Sequence, residues 1–403
     1  MLLKIASRNI WRNKKRSLTI IIAVSFGIWA GIFMAAFYNS VIEQRIKTAI
    51  TSELSHIQLH HPEFRKDHEI KYYLSEGRKA IKEIRQDSLV KSVSGRIILQ
   101  GMIASAVGSS GITINGVLPK EENVLTQLSE KIIRGNYFNP KKTNEIILSE
   151  RLRKKLKLNL HKKVILTFQD IEGNLASAAF RIKAIYKTVN APYDDRNVFV
   201  KINDVDSLAG IPNQVNEIAI LLKSSTSLEE SQTKLKRMFP ETEIQNWKEI
   251  APELGYTVSV GDKMMYIFMG IILLALCFGI VNTMLMAVLE RSREIGMLMA
   301  LGMNKLKIFL MIVMETFFLI LVGCPIGSVL ALVTIGITHR TGINLSQYSD
   351  AYSSFGFSSV FYPSLTAGQF GTMILLVVIT AFVSAIFPAR KALQMNLAES
   401  LKK

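Results

Sequence analysis

The stretch Ser17-Leu-Thr-Ile-Ile-Ile-Ala-Val-Ser-Phe-Gly-Ile-Trp-Ala-Gly-Ile-Phe-Met-Ala-Ala-Phe-Tyr-Asn39 carries no charged side chain over 23 residues. As a helix rising about 1.5 Å per residue it crosses the roughly 30 Å hydrocarbon core of a bilayer. Its apolar part is too long for a cleaved signal peptide and lacks an A-x-A site, so it reads as a retained anchor. Three more runs follow after a long polar block. Met264–Leu289 is uncharged, and Ile308–His339 is broken only by Glu315, with a bend expected at Pro325 and the spanning part placed at 308–336. The last is Gly368–Ala389, closed by Pro388.

The whole composition agrees with this division. Hydrophobic residues make up 49% and charged residues 20% of the 403, with a mean hydropathy of +0.25. A purely soluble enzyme and a disordered chain are both excluded. The formal net charge is +17. Nucleic-acid binding would account for such an excess but not for its position, and the reading preferred is cytoplasmic loops facing anionic lipid. Cys277 and Cys324 lie inside apolar runs, so cysteine usage says nothing about the compartment of the polar block.

The short flanks set an orientation. Lys4, Arg8, Arg12, Lys14, Lys15 and Arg16 precede the first span; Arg291, Arg293, Lys305 and Lys307 lie between the second and third; Arg390, Lys391, Lys402 and Lys403 follow the fourth. Both termini are therefore expected inside and residues 40–262 outside, because a long block does not vote in the positive-inside rule. The expected plan is 1–16, 17–39 (span one), 40–262 (outer domain), 264–289 (span two), 290–307, 308–336 (span three), 368–389 (span four) and 390–403. In 1–16, Leu2, Ala6 and Ile10 share one helical face and Lys4, Arg8, Arg12 and Lys15 another. That pattern fits an amphipathic helix on the inner leaflet and, equally, a bare topology signal.

Residues 40–262 read as an α+β domain. Val41–Leu54 continues helically from span one as a stalk. The two ends of the domain resemble each other in element order, and a nearly all-strand subdomain is inserted at about 115–215. Searches for chemistry return little. His56, His60, His61 and His68 cluster, but His56-Ile-Gln-Leu-His60 alternates as a strand, whose i and i+4 positions stand about 13 Å apart, so a solvated strand end is preferred to a metal site. Asp194-Asp195 after Pro192 reads as a solvated loop. The sequence holds no G-x-S-x-G and no H-E-x-x-H, so the domain reads as a binding and shape element.

The segment Glu290-Arg-Ser-Arg-Glu-Ile-Gly-Met-Leu-Met-Ala-Leu-Gly302 is the most informative in the chain. As one helix it stacks Glu290 over Glu294, sets Arg291 beside Glu294, and forms an apolar ridge from Ile295, Leu298 and Met299, with Gly302 as its stop. Physical reasoning alone weighs a docking surface for a cytoplasmic partner equally with an interfacial helix lying on lipid.

The pattern Glu-Arg-x-Arg-Glu-Ile-Gly-x-x-x-Ala-Leu-Gly directly after a span resembles the coupling region of the FtsX/MacB-type ABC transporter permeases. Arg8-Asn-x-x-Arg-Asn-Lys-Lys-Arg16 is similar to that family's opening, and Pro388-Ala-Arg-Lys-Ala392 followed by Ala398-Glu-Ser-Leu401 to its ending. Ser55-His-Ile-Gln-Leu-His-His-Pro62 and the size of the outer domain are most like the lipoprotein-releasing LolC/LolE branch. The resemblance implies one span before and three after a MacB-like periplasmic core domain, in the bacterial inner membrane. It implies a permease subunit that is not itself an enzyme, with ATP and Mg bound by a separate cytoplasmic ATPase docked on Glu290, Arg291, Arg293, Glu294, Ile295, Gly296, Leu298, Met299 and Gly302. A G-x-x-x-x-G-K-[ST] loop is missing from the sequence, in keeping with that. A second permease chain, identical or homologous, would complete the transporter, and ATP-driven motion would lift lipoproteins from the outer leaflet by mechanotransmission.

Two intramembrane polar residues bear on this reading. Glu315 reads as an interhelical contact or a link to the coupling helix, against snorkelling to the interface; Asn282 is placed to hydrogen-bond another helix. Phe33, Phe37 and Tyr38 facing Met264, Met265 and Phe268 offer adaptable surface for acyl chains, and fit ordinary interfacial packing as well. Gly210-Ile-Pro-Asn-Gln214 is the nearest candidate for a loop that docks a periplasmic carrier. The rival functions are MacB-like efflux of peptides or drugs, a non-transport regulator of a cell-wall hydrolase, and, against the missing catalytic motifs, a membrane-tethered enzyme.

Overall fold

The structure, a computed structural model, describes residues 14–394. The expectations for 1–13 and for the closing Ala398–Leu401 motif lie outside the described residues. The chain divides into two compact units: one takes the chain up to Ile42, Val258–Asn344 and the chain from Val360, the other Glu43–Thr257 and Leu345–Ser359.

The first unit is built on four helices long and apolar enough to cross a membrane. They are α1 (Lys14–Ala49), α7 (Pro252–Glu290), α9 (Lys305–Thr341) and α11 (Ala367–Leu393). Each outruns its apolar run because nothing at the polar ends breaks the helix. The α1 helix ends only in a five-residue π turn, Ile50–Leu54, at Ser55 with φ 61°. Pro325 lies inside α9 and Pro388 inside α11, so the expected stop at Pro388 is corrected. Pro388 removes one N–H, yet buried Ser384, Ala385, Ala389 and Ala392 keep the last turns packed, and packing overrides the local break.

Backbone proximity joins α1 to α9. Ser25 Oγ donates to the Gly323 carbonyl at 2.9 Å, and Trp29 Nε1 to Thr334 Oγ1 at 3.0 Å. A Cβ at Gly327 would stand 2.5 Å from the Ser25 carbonyl oxygen, so this glycine is what lets the helices touch. Leu276 of α7 fills the space beside Gly27. At the end of α9, β11 (Ile343–Asn344) pairs with β12 (Val360–Phe361), and a Thr366–Gln369 capping box starts α11.

The second unit is α+β. Its base is a pair of split β-α-β units: β1 (Ile57–His60), α2 (Gly77–Arg85), β2 (Val90–Ala104), then β9 (Glu217–Leu222), α6 (Leu228–Met238) and β10 (Glu243–Asn246). The strand order β10-β1-β9-β2 is antiparallel throughout. Ala80, Ile81 and Ile84 of α2 and Leu228 and Leu235 of α6 are buried with the sheet.

Between β2 and β9 the chain inserts β3 (Ser109–Val117), α3 (Pro119–Thr126), β4 (Ile132–Gly135), β5 (Glu145–Ser149), α4 (Glu150–Lys155), β6 (Lys163–Gln169), β7 (Leu175–Tyr186), α5 (Ala191–Asp194) and β8 (Asn197–Lys201). Pairing runs β2-β3-β8-β5-β7-β6 and returns to β2, a closed ring of six strands. Strand β2 serves both sheets: its first half pairs β9 and its last four residues, from Gly101, pair β6. A Cβ at Gly101 would lie 2.5 Å from the Thr167 carbonyl oxygen, so this glycine marks the switch. Val164, Leu166, Phe180, Ile182, Val198 and Val200 fill the ring.

Two expectations about this unit are corrected. His56 and His60 are 7% and 2% exposed, not solvated: the His56 ring accepts from Leu222 N, and His60 bonds Glu217. The described residues contain no metal-binding group of three. Asp194 is 1% exposed because Thr188 satisfies it twice, from N at 3.0 Å and Oγ1 at 2.7 Å; only Asp195 faces outward, pairing with Arg151. Leu345–Ser359, between spans three and four, belongs to this unit, where α10 (Ser349–Ser354) packs on α5.

Candidate functional site

The 290–302 segment is not one helix. Helix α7 stops at Glu290, Arg291 leaves helical geometry (φ −101°, ψ 17°), and α8 runs Ser292–Ala300. Glu290 and Glu294, expected on one helix, therefore stand on two. The break falls at Arg291, whose side chain is drawn two ways: Nε donates to Glu294 Oε2 at 3.0 Å and Nη1 to Glu315 Oε1 at 2.8 Å. Glu315, 8% exposed on α9, is thus ion-paired inside the helical unit and does not snorkel. A carboxylate at that depth persists because the partner guanidinium is also largely covered.

The far end of α8 closes in a Schellman motif. Gly302, at φ +87°, donates to Met299 O, and Met303 donates to Leu298 O, both at 3.0 Å. Asn304 then caps α9 by accepting from Leu306 N, a cap the sequence reading passed over although Asn before a helix is its ordinary signal. Ile295 and Gly296 are buried, Leu298 and Met299 half-buried, and Glu290, Arg293, Glu294 and Gly302 exposed. The expected ridge is rotated: Ile295 turns into the bundle, while Met297 and Leu301, 57% and 79% exposed, form the outward apolar surface beside Arg293 and Glu294.

The six aromatic and methionine residues proposed for acyl chains separate. Tyr38, Met265 and Phe268 line one apolar recess between α1 and α7, together with Gly31, Met34, Ala35, Met269 and Ile272. Phe33 instead stacks on Trp29 at 6.0 Å, Phe37 meets Phe361 edge-on at 5.5 Å, and Met264 points out. Gly261, which the sequence reading missed, leaves room for Tyr38: a Cβ there would overlap its hydroxyl. Asn282 is exposed on α7 and makes no hydrogen bond to another helix among the described residues. Gly210–Gln214 is a closed turn and not a projecting loop, because Asp206 accepts from Ile211 and Asn213.

The α+β unit carries a buried polar cluster that sequence alone could not assemble, since its members are up to 157 residues apart. Arg96 is bidentate on Glu122 (2.9 and 2.7 Å) and donates to Glu217 Oε1 at 2.8 Å; Glu217 Oε2 meets His60 Nε2 at 3.1 Å. Burial would raise the Glu217 carboxyl, but the His60 hydrogen bond and the Arg96 charge outweigh it and hold the group down at about 2. Burial pushes Asp194 up to about 6 despite the two Thr188 donors. The Arg96 cluster ties α3 to the base sheet at the root of the strand ring.

With this geometry in hand, residues 17–238 match the MacB-like periplasmic core domain and residues 266–397 the FtsX-like permease C-terminal region. An uncharacterized ABC transporter permease of Methanocaldococcus jannaschii is 30% identical over 235 residues, 55% of each chain, so the match spans about half that relative's length. The lipoprotein-releasing system transmembrane protein LolC of Buchnera aphidicola is 24% identical over 344 residues, 82% of both chains. The solved periplasmic region of MacB from Actinobacillus actinomycetemcomitans covers 52% of this chain and 97% of its own, at 14% identity and a TM-score of 0.37.

Proposed function

The chain belongs to the family of ABC transporter permeases that join a MacB-like periplasmic core domain to an FtsX-like C-terminal region, and from that premise we propose that it is the permease subunit of a lipoprotein-releasing transporter driven by a separate ATPase. The observation that carries the coupling role is α8. Its outer face offers Arg293, Glu294, Met297 and Leu301 to a partner, while its inner face is fixed by Ile295 and by Arg291 on Glu315. A push on α8 therefore passes to α9 without first taking up slack, which is what ATP-driven motion requires of a permease that holds no nucleotide itself. The released cargo is inferred from the likeness to LolC along 82% of both chains. The methionine-rich recess at Tyr38, Met265 and Phe268 suits an acyl chain of variable shape.

A second permease chain fits α7, the least covered of the four long helices within this chain. An exposed Asn282 in an apolar helix is costly against lipid and is satisfied by a polar group on another chain. In this reading both termini and α8 face the cytoplasm, and the α+β domain faces the periplasm, where a carrier receives the cargo.

Native mass spectrometry of the complex drawn from membranes with its ATPase tests the proposal. Acylated lipoproteins bound without ATP and lost on its addition are the expected result. An ATPase-bound complex free of acylated cargo would overturn lipoprotein release in favour of efflux or hydrolase regulation.

A further inference from the structure

The positive charge is not confined to the short flanks of the spans. Residues 131–201, which build most of the strand ring, contain sixteen Lys or Arg against six Asp or Glu, a net +10. Part of that surplus converges on an open cleft of about 440 Å³ beside the starts of β5 and β6 and the interior of β7, lined by Lys141, Lys142, His161, Arg181 and Lys183 with Glu145 as its one acid.

The single acid is already committed. Glu145 is buried, accepts from Asn139 N at 2.8 Å, and lies 3.9 Å from Lys183 and 3.6 Å from Lys201. Among the described residues, Lys141, Lys142, Lys163 and Arg181 have no carboxylate within 4 Å. The strand register adds to this. Arg181 of β7 stands opposite Lys163 of β6, a like-charge pair of the kind that costs a sheet stability. A fold that keeps several cations together around one acid creates a positive potential focused in a concave site.

We infer that this cleft binds a phosphate-bearing anion. A single carboxylate would answer one cation and leave the others unbalanced. A phosphate offers several charged oxygens to the lysines at once and accepts the planar Arg181 fork at two of them. The inference does not depend on the cargo or on the ATPase. Both a lipid headgroup and a free phosphate carry the required chemistry.

The test is calorimetric titration of the full-length protein in an uncharged detergent. The probes are inorganic pyrophosphate, dihexanoyl phosphatidylglycerol and, as neutral control, dihexanoyl phosphatidylcholine. Binding of pyrophosphate alone identifies a free phosphate as the source; binding of phosphatidylglycerol, alone or with pyrophosphate, identifies the headgroup. In either case the double variant Lys142→Glu/Arg181→Glu should weaken binding about tenfold or more, and salt should weaken it further. The variant Lys236→Glu/Arg237→Glu, on exposed α6 positions, removes the same charge elsewhere and should leave the affinity within about twofold. Both substitutions are at solvent-facing side chains, and unchanged thermal unfolding verifies that each variant folds. Equal loss in the two variants would reduce the effect to diffuse net charge and overturn the site, as would no binding of either anion or equal binding of the neutral lipid.

Discussion

Glu315 is a residue that a lipid-exposed position would expel, and Arg291 is what retains it, at 2.8 Å and with both side chains largely covered. Removing one partner leaves the other charge buried without compensation, which typically costs about 3–5 kcal/mol. Glu315→Gln and Arg291→Gln should each lower the thermal stability of the purified chain, whereas the double variant should recover part of the loss. Strictly additive losses in that double-mutant cycle would show that the pair does not act as a unit. The Arg96 cluster makes a prediction of a different kind. The folded Glu217 carboxyl sits at about 2, below its ordinary 4.5. Its contribution to stability is therefore complete above about pH 4.5 and is lost as the pH falls toward 2. Asp194, raised to about 6 from 3.8, acts with the opposite sign: it favours the fold at low pH and ceases to as the pH rises through 6. Melting temperatures measured from pH 4 to 2.5 should thus fall, and the fall should be shallower in Glu217→Gln. An unchanged slope in that variant would remove Glu217 from the acid response.

Among the elements, the α1–α9 contact depends on space more than on sequence pattern. Gly327→Ala would put a methyl 2.5 Å from the Ser25 carbonyl oxygen and 2.9 Å from Ile28 Cβ, both on the facing helix. Overpacking of that kind costs about 1–3 kcal/mol, to be read as a lower unfolding temperature in detergent. Gly336, on the same helix, has nothing within 4 Å, so Gly336→Ala serves as the control and should not fall. Equal effects at the two glycines would mean that helix propensity, and not the close approach, governs the response. These elements also show what could be read in advance. The four apolar helices and the α+β character of the polar block follow from run length and residue periodicity, which are local properties. The closed strand ring was not legible, because closure depends on β2 changing partners at Gly101, a pairing fixed only in three dimensions. The same holds for the candidate site. Gly302 as the stop of α8 is a local signal, whereas the break falls at Arg291, whose partner Glu315 lies 24 residues on. Ile295 turning inward depends in turn on which side of α8 the bundle covers.

At the scale of the whole molecule, charge and topology have to be reconciled. Residues 131–201 carry a net charge of +10, yet this stretch belongs to the domain that the short basic flanks would place outside. Positive charge on a long domain does not hinder its translocation; only short loops and the residues near span ends determine orientation. Arg291, Arg293, Lys305 and Lys307, crowded into the short connection around α8, are therefore expected to outweigh the larger basic surface of the strand ring. The consequence can be measured in a chain whose Cys277 and Cys324 are replaced by serine. Leu175, 78% exposed at a hairpin end, should as Leu175→Cys react with a membrane-impermeant maleimide on intact cells stripped of any outer membrane. Arg293→Cys, exposed on α8, should react only after the membrane is opened. Labelling in the reverse order would invert the topology and remove α8 from reach of a cytoplasmic ATPase, and labelling of both in intact cells would break the assignment of an intact barrier between them. The outcome thus bears on the coupling role independently of cargo, because an ATPase on the cytoplasmic side can drive this permease only through segments that face it.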